Sequence, residues 1–180
     1  MTGHDVASAG DVDGDGLNDI LIGAPGAEDE KGVTYLVLGA RIRSELSHGE
    51  SDLHSLNADY AFTGESDGDQ SGFSVAGGCD IDNDGLDDIF IGAPSSSDGI
   101  SNRGKIYAML GDHLSNANTP LGLASLSFMG EGDSDLAGLS LRNSGDVNGD
   151  GYCDPIIPLP GSSDQTTQGG KLFLTHGNGI

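Results

Sequence analysis

Three short stretches place oxygen-bearing side chains at every second position: DVDGDGLND at 11–19, DIDNDGLDD at 80–88 and DVNGDGYCD at 146–154. Carboxylates gathered this closely repel one another unless positive charge sits among them. Ca²⁺ is a hard cation that takes roughly 6 to 8 oxygen ligands at about 2.3 to 2.6 Å. A tight loop can offer those oxygens from positions 1, 3, 5 and 9, with the backbone carbonyl of position 7 added. In the first loop they are Asp11, Asp13, Asp15, the Leu17 carbonyl and Asp19. The second gives Asp80, Asp82, Asp84, the Leu86 carbonyl and Asp88, and the third Asp146, Asn148, Asp150, the Tyr152 carbonyl and Asp154. Gly16, Gly85 and Gly151 all fall at position 6, where the chain must turn sharply and a Cβ would obstruct it. The expected cofactor is Ca²⁺, at three sites.

Other calcium loops share this opening but continue differently. An EF-hand needs a bidentate Glu at position 12 and a helix on each side. Position 12 here is Ile22, Ile91 or Ile157, in strand-like sequence. Dockerin-type loops also need helices, and thrombospondin-type loops repeat far more closely. Solvated Asp-Gly turns or general surface charge would not require four oxygens at alternate positions in three copies. At the third loop Asn148 removes one negative charge, and Pro155 begins the following strand.

The elements that must hold these loops repeat with them. Asp11 to Asp80 is 69 residues and Asp80 to Asp146 is 66. Gly3-His4, Gly72-Phe73 and Gly138-Leu139 each begin eight residues before a loop. Gly23-Ala24-Pro25 and Gly92-Ala93-Pro94 follow at one fixed offset, where the third copy has Pro158-Leu159-Pro160. Between these markers lie short apolar runs such as DILIGAP, TYLVLGA, IFIGAP, KIYAMLG and KLFLTHG, bounded by Gly, Pro or Asp. They read as strands. No segment keeps a helical apolar stripe, although 41–56 has room for a short turn. In the second unit the strands fall at about 73–78, 88–93, 104–110 and 125–130. Four antiparallel strands per repeat is the unit of a β-propeller blade. The expected fold is therefore all-β: three consecutive blades at 3–71, 72–137 and 138–180, the third lacking its outer strand, in an incomplete ring. The open faces at the two ends imply a fragment, or self-association to complete the ring.

Gly72-Phe73, the DxDxDGxxD loop and Gly92-Ala93-Pro94 together resemble the FG-GAP repeat of integrin α-subunit propellers, and the likeness covers nearly the whole chain. The second unit matches best. The first has His4 for Phe, and the third has Leu139 for Phe and Pro-Leu-Pro for Gly-Ala-Pro, departures that bear on strand packing more than on the ion site. The resemblance implies structural Ca²⁺ held between the first two strands of each blade, on the loop residues named above, in a domain that usually has seven blades. The linkers resemble those of bacterial secreted and surface proteins.

Charge limits the partners. Seven Lys and Arg against 29 Asp and Glu give a formal net charge of -22, which leaves no basic footprint for nucleic acid. Three divalent ions would bring it to -16. No apolar run is long enough to span a membrane. Met1-Thr2-Gly3-His4-Asp5 opens on repeat-like sequence, so an export signal is expected outside this chain. Cys79 and Cys153 occupy non-equivalent places beside their loops and are expected as two buried or idle thiols, with a disulfide as the alternative. His4, His48, His54, His113 and His176 are scattered without zinc spacing. The pairs Asp67/Asp69 and Asp133/Asp135 read as polar interblade turns, and no Gly-x-Ser-x-Gly elbow occurs. The resulting expectation is a calcium-stabilised extracellular binding or adhesion module with a protein or glycan ligand and no catalysis of its own. The alternatives are an accessory propeller of a secreted enzyme or toxin, such as GPI-specific phospholipase D, and a carbohydrate-binding propeller.

Overall fold

The computed structural model describes residues 3–47, 57–163 and 169–177. Its strands are β1 (Val6–Gly10), β2 (Asp19–Ala24), β3 (Val33–Val37), β4 (Tyr60–Thr63), β5 (Ser74–Cys79), β6 (Asp88–Ala93), β7 (Lys105–Met109), β8 (Asn118–Pro120), β9 (Leu126–Met129), β10 (Ile156–Leu159) and β11 (Lys171–Leu174). The sheets run β1-β2-β3-β4-β8, β5-β6-β7-β9 and β10-β11. All pairings between successive blade strands are antiparallel, as in consecutive propeller blades. The innermost segments of the three blades converge on a shared cleft lined by Asp5, Ser8, Ala76, Arg142 and Asn143.

The central sheet is buried on both faces, and its alternation sorts the core into two layers. Ile89, Ile91, Ala93, Tyr107 and Met109 join Leu21, Leu36 and Phe62 of the first sheet. Phe90, Ile106 and Ala108 join Leu141, Ile157 and Leu159 of the third. A period of two along each strand sends alternate side chains to opposite faces. That is why β6, apolar from Ile89 to Ala93, is buried along its whole length, the Asp88 carboxylate at its start included.

The motif glycines mark where the blades touch. A Cβ on Gly23 would meet the Gly72 carbonyl, and one on Gly92 would meet that of Gly138. Each is a contact between one blade's second strand and the start of the next blade. Gly72 also donates its N–H to the Gly92 carbonyl within its own blade, at 2.9 Å. Pro158 stands at the equivalent place in the third unit, so a following blade could not approach it in the same way.

Four features depart from the sequence reading. First, residues 39–47 form a helix, α1 (Gly39–Ser47), where the sequence suggests only a short turn within 41–56. Arg41 and Asp59 hold its start, with Arg41 Nη2 2.6 Å from Asp59 Oδ1. Second, β8, from the connection between β7 and β9, pairs in parallel with β4 and covers the outer edge of the first blade. Third, the innermost segment of the third blade makes one bridge, Arg142 to Ile156, instead of a ladder. Pro155 and Pro158 have no N–H to contribute there. Fourth, Cys79 and Cys153 are not idle thiols: they form a disulfide, with Cα atoms 5.5 Å apart. Cys79 immediately precedes position 1 of the second loop, and Cys153 is position 8 of the third. Stacking brings those places together, because the Cys153 N–H donates to the Asp80 carbonyl at 2.9 Å. Blade 1 has Gly10 (φ +80°) where blade 2 has Cys79, whose left-handed residue is instead the preceding Gly78 (φ +73°).

The interblade turns take the expected role. Asp69 and Asp135, both buried, accept N–H groups from Ser66 and from Glu131 and Gly132. His48 and His54 lie outside the described residues.

The disulfide closes a loop of 74 residues between the second and third blades, and a cross-link over such a span stabilises by about 4 kcal/mol. Replacing both cysteines by Ala should lower the denaturant midpoint accordingly. Hydrogen exchange should quicken at Ile157 and Leu159 and stay unchanged at Leu21 and Leu36.

Candidate metal centres

Each acidic loop is folded around its own carboxylates. In the first, Asp11 Oδ1 accepts the Asp15 N–H at 3.0 Å and Oδ2 the Gly16 N–H at 2.8 Å. In the second, Asp80 Oδ1 accepts the Asp84 N–H at 3.2 Å and Oδ2 the Gly85 N–H at 3.0 Å. In the third, Asp146 Oδ1 accepts the Asp150 N–H at 3.2 Å and Oδ2 the Gly151 N–H at 2.9 Å. Position 5 repeats as well: Asp15, Asp84 and Asp150 accept N–H groups from Leu17, Leu86 and Tyr152. Position 6 has the expected left-handed backbone, with φ of +85° at Gly16 and +94° at Gly85 and Gly151.

The carboxylate at position 9 is different, because it is buried. Asp19 is 1 % exposed, and Asp88 and Asp154 are 0 %. One oxygen accepts the N–H of position 2, from Val12 at 2.9 Å, Ile81 at 2.8 Å or Val147 at 3.0 Å. The other accepts the N–H of a glycine just past the third strand: Gly39 at 2.7 Å, Gly111 at 2.9 Å or Gly177 at 3.4 Å. Each loop is thereby clamped to the far end of its own blade.

Those three glycines were missed in the sequence, though the signal was present. Each follows a third-strand run in the same register, and none has room for a side chain. A Cβ on Gly39 would lie 2.7 Å from Leu17 Cβ, one on Gly111 2.7 Å from Leu86 Cβ, and one on Gly177 2.8 Å from Tyr152 Cβ. Position 7 therefore packs its side chain over the glycine that clamps position 9.

Of the ligand sets expected from sequence, Asp11, Asp13 and Asp15 bring one oxygen each within 4.8 Å of one another, and so do Asp80, Asp82 and Asp88. Asp112, in the turn after β7, adds a carboxylate close to Asp82 and Asp84 that spacing could not disclose. In the third loop Asn148 Oδ1 accepts the Asp150 N–H at 2.8 Å, as Asp13 does for Asp15 in the first. His176 leans on this loop, with Nδ1 3.0 Å from Asn148 Nδ2 and 3.5 Å from Asp154 Oδ1. It stands where the other blades have Leu38 and Leu110.

The electrostatics suit a cation. Lys31, Arg41, Arg103, Lys105 and Lys171 make their ion pairs with Asp67, Asp59, Asp98, Glu65 and Glu131, all outside the loops. Burial raises the Asp19 carboxyl and lifts that of Asp88 to about 7. Desolvation and then the Asp84 charge raise Asp82. The exposed Asp146 goes the other way, lowered foremost by the Gly151 N–H. All-oxygen clusters holding a buried carboxylate in a poor environment for its charge fit a hard divalent ion.

The FG-GAP repeat model matches residues 2–37 and 71–109, each the start of a blade together with its loop. The chain belongs to the FG-GAP repeat family. Its FG-GAP units are 32 % identical over 158 residues to integrin alpha-5 of Xenopus laevis, covering 83 % of this chain and 14 % of that protein. Integrin alpha-IIb of Homo sapiens is 31 % identical over 162 residues, 89 % of this chain and 15 % of the relative. A phosphatidylinositol-glycan-specific phospholipase D of Dictyostelium discoideum is 29 % identical over 185 residues, 97 % of this chain and 19 % of the relative. The chain thus spans less than a fifth of the length of these relatives. The third unit lies outside the family-model match, in keeping with its Leu139 and Pro158.

Asp88 is expected to make the second FG-GAP loop sensitive to pH. Its folded value, about 7, lies above the ordinary 3.8. Its contribution to metal-free stability is therefore complete below about pH 4 and lost as pH rises through 7. In chelator, the melting temperature should fall between pH 5.5 and pH 8, and more steeply than in Asp88→Asn. Calorimetry over that range checks it.

Proposed function

We propose that this chain is a calcium-stabilised segment of an extracellular propeller, acting as a binding or adhesion module rather than as an enzyme. Its blade units are 3–71, 72–137 and 138–180. The observation that carries the proposal is the threefold clamp: a buried position-9 carboxylate, tied to its loop and to the third strand, beside a cluster of acidic oxygens. Asp11, Asp13, Asp15, the Leu17 carbonyl and Asp19 would hold the first Ca²⁺. Asp80, Asp82, Asp84, the Leu86 carbonyl and Asp88 would hold the second, and Asp146, Asn148, Asp150, the Tyr152 carbonyl and Asp154 the third. The ion supplies charge neutralisation and cross-linking, not reactivity. The clamped carboxylates keep the hairpin tight, and the position-6 glycines let it close.

One further observation supports an extracellular setting. The Cys79–Cys153 disulfide belongs to an oxidising compartment, where calcium also stands at concentrations matching modules that bind it at about 10⁻⁴ to 10⁻³ M. Among the described residues no helix is long and apolar enough to cross a membrane. Ligand recognition would fall to the loops at the blade ends, which carry variable chemistry on a rigid scaffold. The partner is a protein or a glycan, and neither nucleic acid nor membrane insertion is part of the proposal. The outer faces, with Val6 57 % exposed at one end and Leu172 63 % at the other, would meet further blades or a second copy.

A second reading is favoured by the phospholipase D relative, whose similarity covers 97 % of this chain. There the segment would be the accessory propeller of a secreted enzyme. Both readings require the cation. Restoring calcium to chelated protein at tenfold excess over the dissociation constant should add about 1.4 kcal/mol per site. Melting curves should show the gain in the native chain and a smaller one in Asp13→Ala/Asp82→Ala. Equal midpoints with calcium and with chelator would refute the structural ion.

A further inference from the structure

Successive acidic loops are joined by direct hydrogen bonds, and each bonded group adjoins a proposed ligand. The Asp87 N–H, at position 8 of the second loop, donates to the carbonyl of Asp11, position 1 of the first, at 3.0 Å. The Cys153 N–H, position 8 of the third, donates to the carbonyl of Asp80, position 1 of the second, at 2.9 Å. The amide between residues 86 and 87 therefore has two duties. Its carbonyl, on Leu86, is the position-7 oxygen of one loop, and its N–H fixes the first residue of the preceding loop. The amide between Tyr152 and Cys153 repeats the arrangement one blade on.

We infer that the three loops take up divalent cations with positive coupling, transmitted between neighbouring blades through these shared amides. The inference rests on reading the loops as cation sites. Drawing electron density toward an amide carbonyl makes its N–H a stronger donor, since linked hydrogen bonds polarise one another. An occupied second loop thus grips the Asp11 backbone more firmly and fixes the residue that must present the first carboxylate. In reverse, an ordered Asp11 carbonyl holds the 86–87 amide in place before the second loop fills. Ordering already completed by one ion need not be repeated for the next.

A second contact strengthens the first link. Asp87 Oδ2 accepts the Asp11 N–H at 2.8 Å, so both backbone groups of Asp11 are engaged by Asp87. The Asp87 carboxylate lies between the two loops, where its charge offsets repulsion between their ions. Asp87 is not among the proposed ligands. Between the second and third loops the Cys79–Cys153 disulfide occupies the corresponding place and supplies the fixing covalently. Asp87 meets Gly10 there, in the same pair of positions as the two cysteines.

The test reads each loop separately through its position-6 glycine. The N–H groups of Gly16, Gly85 and Gly151 bond to the position-1 carboxylates and give individual signals in a nitrogen-resolved NMR spectrum. The ¹⁵N-labelled chain, stripped of metal, is titrated with CaCl₂, first native, then as Asp15→Ala in the first loop and as Asn148→Ala in the third. We expect each substitution to raise the calcium concentration at the Gly85 midpoint about fivefold or more, the lower range for coupled sites. Retained amide signals from Ile89 to Gly92 identify a folded variant. The third-loop variant gives an independent answer should the first not fold. A Gly85 midpoint that stays put in both folded variants, while all three glycine signals still respond in the native chain, overturns the coupling and leaves the cation reading intact. Glycine signals that ignore calcium in the native chain overturn both.

Discussion

Each blade ends its acidic loop on a carboxylate that water cannot reach. Asp19, Asp88 and Asp154 each accept one N–H from position 2 and another from a glycine beyond the third strand. A buried carboxylate with only neutral donors keeps much of its desolvation penalty, and the rise of Asp88 to about 7 expresses that directly. The clamp makes the loop rigid and brings its exposed acids near this unfavourable charge. The proposed divalent ion would relieve both the burial of position 9 and the repulsion among positions 1, 3 and 5. On this account the fold and the cation requirement have one origin.

Stacking adds a second constraint, steric rather than electrostatic. Gly23 and Gly92 leave room for the carbonyl that begins the next blade, and the side chain at loop position 2 fills the space between. Val12 is buried in the first core layer and Ile81 in the second, while Val147 on the free face is 51 % exposed. The motif thus encodes a blade and also the surface by which a blade receives its neighbour. Pro158 breaks that code in the third unit.

Much of this was legible from spacing alone. The 66- and 69-residue offsets located the loops, and bounded apolar runs in step with them located β5, β6, β7 and β9 to within about a residue of the ranges read from sequence. Information carried between blades was hidden. Cys79 and Cys153 sit at unlike positions within their repeats, and only stacking shows that the place before one loop faces position 8 of the next. The clamp glycines lie 20 to 23 residues from their carboxylates, so their shared register after the third strand marked them as a repeat but not as partners of position 9. β8 was unreadable because its partner is the edge of another blade, and three residues give no periodicity. The failed inner ladder of the third blade was foreshadowed by Pro155, whose consequence depends on which strand it would have paired.

Relatives that share this unit include integrin α-subunits and a phospholipase D, so the blade serves chains of different overall purpose. Cation retention is what the loop geometry of this chain argues for. The most direct check is a long-wavelength anomalous difference map from crystals grown in calcium. The account predicts a peak inside each of the three loops, with oxygens of positions 1, 3, 5, 7 and 9 about 2.3 to 2.6 Å away. Loops filled by water alone at saturating calcium would contradict it.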